Sequence, residues 1–132
     1  MSHSAQLRQA RLRATPRRVR VLSWLAKHRR PVTAEDVANR HQSLSRMTAF
    51  RMLGDFANHG LVQEVRYRDG TRRVEYIGDR PHHHHFVCDH CGVVEHLHLK
   101  HESHILQSLK QSHGLKITHH DMAFAGLCRS CQ

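Results

Sequence analysis

The chain has little from which to build one large interior. Of its 132 residues 39% are hydrophobic and only 5% aromatic, so one or two small domains are expected, held by something besides a core. A bound metal is a common staple for domains of that size. No apolar run approaches the roughly 20 residues that span a bilayer. The opening Met1-Ser2-His3-Ser4 is polar and runs into a basic stretch instead of an apolar leader. A cytoplasmic protein with no membrane association is expected. The sequence has no His-Glu-x-x-His helix and no paired catalytic carboxylates, which speaks against an enzyme built on metal-activated water.

Acidic residues are few where basic ones abound. Residues 1–80 hold 17 Lys and Arg against 7 Asp and Glu, whereas 81–132 hold 4 of each, so the whole net charge of +10 sits in the front part. Histidine runs the other way, with 4 before residue 81 and 12 after it. A polyanion-facing front and a metal-facing back follow from this division.

The densest chemistry is the stretch Pro81-His82-His83-His84-His85-Phe86-Val87-Cys88-Asp89-His90-Cys91-Gly92. The Cys-x-x-Cys of Cys88 and Cys91 returns as Cys128 and Cys131, and these are all four cysteines. Two such pairs suit one tetrahedral zinc; redox thiols or disulfides are the alternatives. Reduced, paired thiols fit a reducing cytoplasm. In an extended strand alternate side chains leave on opposite faces, so His83 and His85 share one face and His82 and His84 the other. One strand can thereby serve two metal sites, neither of them the cysteine site. An affinity tag would be longer and terminal; a solvated polar strand is the plainer alternative.

Along the front part, Leu7 to Leu12 reads as a short basic helix. Thr15-Pro16 opens a second helix, with a capping hydroxyl and proline at the first helical position, and Pro31 is read as its stop. Thr33-Ala34-Glu35-Asp36 resembles a capping box opening a third. Ser45 caps a fourth from Arg46 to about His59, with Gly60 just past its end and a buried stripe of Ala49 or Phe50, Leu53, Phe56 and Ala57. Val62, Val65 and Tyr67, then Asp69-Gly70, then Val74, Tyr76 and Ile77 spell a hairpin. Behind it lie a strand over 82–88, a strand over 93–99, a helix from Lys100 to His113 ended by Gly114, and a last strand from about 115 to 125.

Helices followed by a hairpin spell a winged helix-turn-helix whose last helix would enter the major groove N-terminal end first. Arg46, Thr48 and Arg51 lie near that end. Arg13, Arg17, Arg18 and the wing's Arg68, Arg72 and Arg73 would grip phosphates, although any one of them alone reads equally as a solvated surface charge.

The whole chain resembles the ferric uptake regulator (Fur) family of metal-sensing repressors. The residues that carry the likeness are Leu12-Arg13-Ala14-Thr15-Pro16-Arg17, Thr33-Ala34-Glu35-Asp36-Val37, Ser45-Arg46-Met47-Thr48-Ala49-Phe50-Arg51, and the His82 to Gly92 run with Cys128 and Cys131. The resemblance implies an α+β fold: a winged-helix DNA-binding domain over 1–78, a hinge at 79–81, and a small α/β dimerisation domain over 82–132, stapled by zinc on Cys88, Cys91, Cys128 and Cys131. It implies a homodimer that binds a pseudo-palindromic double-stranded operator when a regulatory metal is loaded. That metal would take His83, His85 and His96, with Glu75 preferred over Glu64 and Asp79 as a further ligand. An additional site would use His82, His84 and His120. Ser103 stands at the family's glutamate there, so either His101, Glu102 or His104 substitutes, His101 being our choice, or the site is degraded. His90, His98, His113 and His119 read as surface polar groups. Two departures bear on the likeness. Phe50 replaces the usual tyrosine, which leaves ring contact with a thymine methyl for DNA, and Pro31 stands where some iron sensors supply a histidine.

A histidine-rich set with His96 in place of a carboxylate favours zinc over ferrous iron or manganese. The expected function is therefore a zinc-responsive repressor of metal-uptake genes. An iron, manganese or peroxide sensor of the same family is the alternative within the family. A zinc-storage or metallochaperone protein is the alternative outside it, and would leave the helix-turn-helix idle.

Overall fold

A computed structural model describes residues 1–28, 30–67, 69–78, 82–118 and 120–132. The expected hinge at 79–81, Arg68 of the wing, the candidate ligand Asp79 and His119 lie outside the described residues. The chain is α+β and divides into two compact units, Met1–Pro81 and His82–Gln132.

The first unit is a winged helix-turn-helix: α1 (His3–Gln9), α2 (Pro16–Lys27), α3 (Ala34–Arg40), α4 (Arg46–Asn58), then the antiparallel hairpin β1 (Val62–Arg66) and β2 (Arg72–Tyr76). Local chemistry starts α2, α3 and α4. Thr15 accepts from the Arg18 amide with Pro16 at the first turn, Thr33 and Asp36 form a reciprocal capping box, and Ser45 accepts from the Thr48 amide. Val32 exchanges two backbone hydrogen bonds with Val74, 2.9 and 2.8 Å, adding a bridge to the wing. Leu22, Leu25, Val37, Ala49 and Phe56 meet in the core, each at most 1% exposed. Each large apolar side chain removed from water contributes about 1.5–3 kcal/mol.

Two expectations for this unit are corrected. The first helix spans His3–Gln9 instead of Leu7–Leu12, because Ser2 caps it through the Ala5 amide at 3.1 Å and Arg11 turns into the left-handed region at φ 61°. The second helix ends at Lys27, short of Pro31, where His28 leaves helical geometry and stacks on Trp24 at 4.7 Å.

The second unit is a three-stranded sheet in the order β4-β3-β5 with one helix. Central β3 (His84–Cys88) pairs antiparallel with β4 (Val94–Leu97) and parallel with β5 (Ala123–Gly126). The parallel return needs a crossover, and α5 (Glu102–His113) supplies it, ending at Gly114 with φ 65°. Only 123–126 of the expected last strand pairs with the sheet. Among the described residues of α5 none is buried, and Ile105, Leu115, Phe124 and Leu127 of this unit are 42–50% exposed.

Candidate metal centres

The cysteines converge at the end of β3. Gly92 takes φ 74° and its amide donates to the Cys88 carbonyl at 3.0 Å, a tight knuckle that turns Cys91 back toward Cys88. The second knuckle is closed one residue tighter, by the Cys131 amide donating to the Cys128 carbonyl at 3.0 Å. The β3–β5 register sets Cys88 beside Gly126 and carries Cys128 up to it, with the Cys128 amide 3.3 Å from Cys88 Sγ. All four sulfurs lie within 4.8 Å of one another, and Cys91 and Cys128 are 3.7 Å apart. Thiolates bound tetrahedrally at about 2.3 Å stand about 3.8 Å apart, so the arrangement fits zinc. The amides of Cys91 and Cys128 stabilise the Cys88 thiolate and bring its pKa down to about 6. The neighbouring Cys128 sulfur and burial push Cys131 up to about 12. Four crowded thiols cannot all ionise without a compensating cation.

On one face of β3 lie His83 and His85, 4% and 3% exposed. His96, opposite His85 across the β3–β4 ladder, completes a triad with ring centroids 4.6, 5.0 and 5.3 Å apart and ligand nitrogens within 4.8 Å. Glu75 sits in the first unit on β2, opposite Gln63, and is 1% exposed.

The other face carries His82 and His84. His82 Nε2 is 3.2 Å from His84 Nε2, 3.1 Å from His120 Nε2 and 3.3 Å from Glu102 Oε1, and His84 and His120 also contact that carboxylate. Hydrogen bonds from His84 first, then His120 and His82, bring the Glu102 carboxyl down to about 2. The fourth member is thus Glu102 and not His101, which stands outside the cluster with its ring 5.6 Å from that of His104. The reason is helix phase: α5 begins at Glu102, so its first residue faces the sheet. The acidic residue in the first turn of that helix was the readable signal.

In the first unit Arg13, Arg17, Arg46, Thr48, Phe50 and Arg51 are all exposed. Arg18 is not available in the same way, since it pairs with Asp55 at 2.9 Å. Arg72 is held by Glu64 and by the Phe50 ring, 5.1 Å from its centroid. Phe50 itself is 48% exposed, so Ala49 and Met52 fill the buried stripe.

Against known proteins, the model of the ferric uptake regulator family matches residues 9–125. The peroxide operon regulator of Bacillus subtilis (strain 168) is 27% identical over 129 residues, covering 95% of this chain and 88% of that protein. Among solved structures, a ferric uptake regulator from Pseudomonas aeruginosa with manganese superposes with a TM-score of 0.81 at 23% identity, over 98% of this chain and 99% of the other. A zinc uptake regulator complexed with zinc and DNA superposes with a TM-score of 0.69 at 24% identity, over 97% and 89%.

Proposed function

The chain belongs to the ferric uptake regulator family of metal-responsive transcriptional regulators, and within it we propose a zinc-responsive repressor of metal-uptake genes. The observation that carries this reading is the triad of His83, His85 and His96, three imidazoles with no carboxylate from their own unit in the set. Such a donor set suits zinc better than manganese, which takes mostly oxygen ligands. We assign Glu75, a buried carboxylate on the wing strand, as the fourth ligand. Cys88, Cys91, Cys128 and Cys131 are assigned to a structural zinc, and His82, His84, Glu102 and His120 to an additional divalent ion.

A bound divalent ion supplies positive charge that holds its donors together. Glu75 belongs to one compact unit and the histidines to the other, so shared ligation would favour one arrangement of the two. A ligand shifts such an equilibrium only by its differential affinity for the two states. Arg46, Thr48, Phe50 and Arg51 on α4 would meet base edges, Arg13 and Arg17 would meet phosphates, and Arg72 would do so on exchanging its Glu64 partner for a phosphate. The uncovered apolar side chains of the second unit support a homodimer, and a homodimer calls for a pseudo-palindromic operator.

The likeness to a peroxide operon regulator favours a second reading, in which the same ligands would hold ferrous iron and added peroxide, itself reduced to water, would be the oxidant of one of the histidines. Titrating operator binding with buffered zinc, ferrous iron and manganese under anaerobic conditions separates the two. Zinc alone should switch binding on at very low free concentration, and His83→Ala with His85→Ala should abolish the response. A double variant that still responds to metal as the parent does refutes the site. Activation by ferrous iron and loss on peroxide addition would establish the second reading instead.

A further inference from the structure

The triad has a neighbour that the regulatory reading leaves unused. The β3–β4 ladder pairs His85 with His96 and His84 with Leu97; continuing that register one step past the paired residues sets His83 opposite His98. Side chains two apart on a strand share a face. His83, His85, His96 and His98 therefore form a two-by-two patch of imidazoles on one side of the ribbon. The His83 and His98 rings are 6.0 Å apart, against 4.6–5.3 Å within the triad. Four imidazoles on one tetrahedral zinc, each bound at about 2.0–2.1 Å, place their ring centroids about 5 Å apart. His98 is exposed and stands outside the group whose ligand atoms lie within 4.8 Å of one another, so its side chain would have to turn toward the triad to join it.

We propose that His98 is an alternative fourth ligand, so that the second unit alone can hold a divalent ion on His83, His85, His96 and His98. This rests on the regulatory-site reading and adds a second loaded form to it. In one form Glu75 completes the set and the protein is competent for DNA. In the other His98 completes it, and the protein carries metal while the first unit is left unconstrained. The ratio of the two forms sets the DNA-binding activity at metal saturation, because a competent state populated at a fraction f weakens apparent affinity by that fraction.

The test uses the full chain with its cysteine site filled by zinc and with His82→Ala and His120→Ala to silence the opposite face. Cobalt is the probe, read by its visible ligand-field absorption and by chelator competition. Glu75→Gln should retain one tightly bound cobalt with four-coordinate absorption while losing metal-dependent DNA binding. Adding His98→Asn should then weaken cobalt binding at least tenfold and abolish that absorption. Equal cobalt affinity with and without His98 in the Glu75→Gln background overturns the proposal, as does loss of cobalt from Glu75→Gln alone. Should Glu75→Gln not fold, His98→Asn by itself decides: it should tighten apparent DNA affinity at saturating zinc, by about twofold if the forms are equally populated, and no change overturns the idea. Undiminished cobalt binding by His83→Ala with His85→Ala would refute the regulatory site itself, a separate result.

Discussion

Arg17 and Arg18 are neighbours in sequence with different surroundings, and they should respond differently to removal. Arg17 is exposed on the first turn of α2, whereas Arg18 is tied to Asp55 on α4 at 2.9 Å. A side chain that neutralises one phosphate contributes about 0.9 to the slope of log affinity against log salt. Arg17→Ala should therefore reduce the slope by about 1.8 for a dimer carrying two copies. Between 50 and 200 mM salt the parent should then lose about 12-fold more affinity than the variant. Arg18→Ala should leave the slope nearly unchanged. Its cost falls on folding, and at 22% and 45% exposure of the two side chains it should be below about 1 kcal/mol. Fluorescence anisotropy of labelled operator DNA across a salt series at saturating metal measures both slopes. Equal slope changes for the two variants would refute the division, because the Asp55 pair would then be giving way to phosphate in the complex.

Two further outcomes follow from the first unit. Phe56→Ala empties the centre of the core, where the ring is wholly buried, and should cost about 3–5 kcal/mol, read as a lowered denaturant midpoint. His41 has its pKa lowered by burial first and then by Arg40 and Arg20. The folded state therefore binds a proton there less readily than the unfolded chain, and the penalty appears as pH falls below the ordinary histidine value near 6.5. His41→Asn should flatten the loss of stability between about pH 6.5 and 5, measured by denaturation with Trp24, whose ring lies 5.7 Å from that of His41, as the reporter.

What could be read in advance was what local chemistry decides. The hydroxyls of Thr15, Thr33 and Ser45 each mark a helix start because the orphan amides they satisfy lie within three residues. The alternation that separates His83 and His85 from His82 and His84 is likewise a property of a single strand. The parts that were not legible depend on distant partners. The Arg18–Asp55 pair joins residues 37 apart. The paired part of β5, Ala123 to Gly126, is four residues long with Phe124 its one large side chain, too short to announce a parallel neighbour, and the pattern alone extends the strand back to 115. His101 and Glu102 are adjacent in sequence, and only the start of α5 at Glu102 decides which of them faces the sheet. Leu7 reads as the start of the first helix, and nothing nearby in the sequence shows that it is an anchor wholly buried in the core.

The run of four identical side chains at 82–85 has a consequence for how the second unit must be locked. Sliding a strand by one residue exchanges its faces. Over most strands that would drive polar groups inward and be rejected at once, but here histidine would replace histidine on both sides. The run alone therefore cannot distinguish the correct alignment from its nearest error. The discrimination has to come from the C-terminal end of β3, where Val87 is buried and Cys88 meets the Cys128 amide. The cysteine cluster thus acts as a register pin: it holds the strand in the alignment that gives each histidine its own face, and through one strand it makes the identity of both histidine clusters depend on a third.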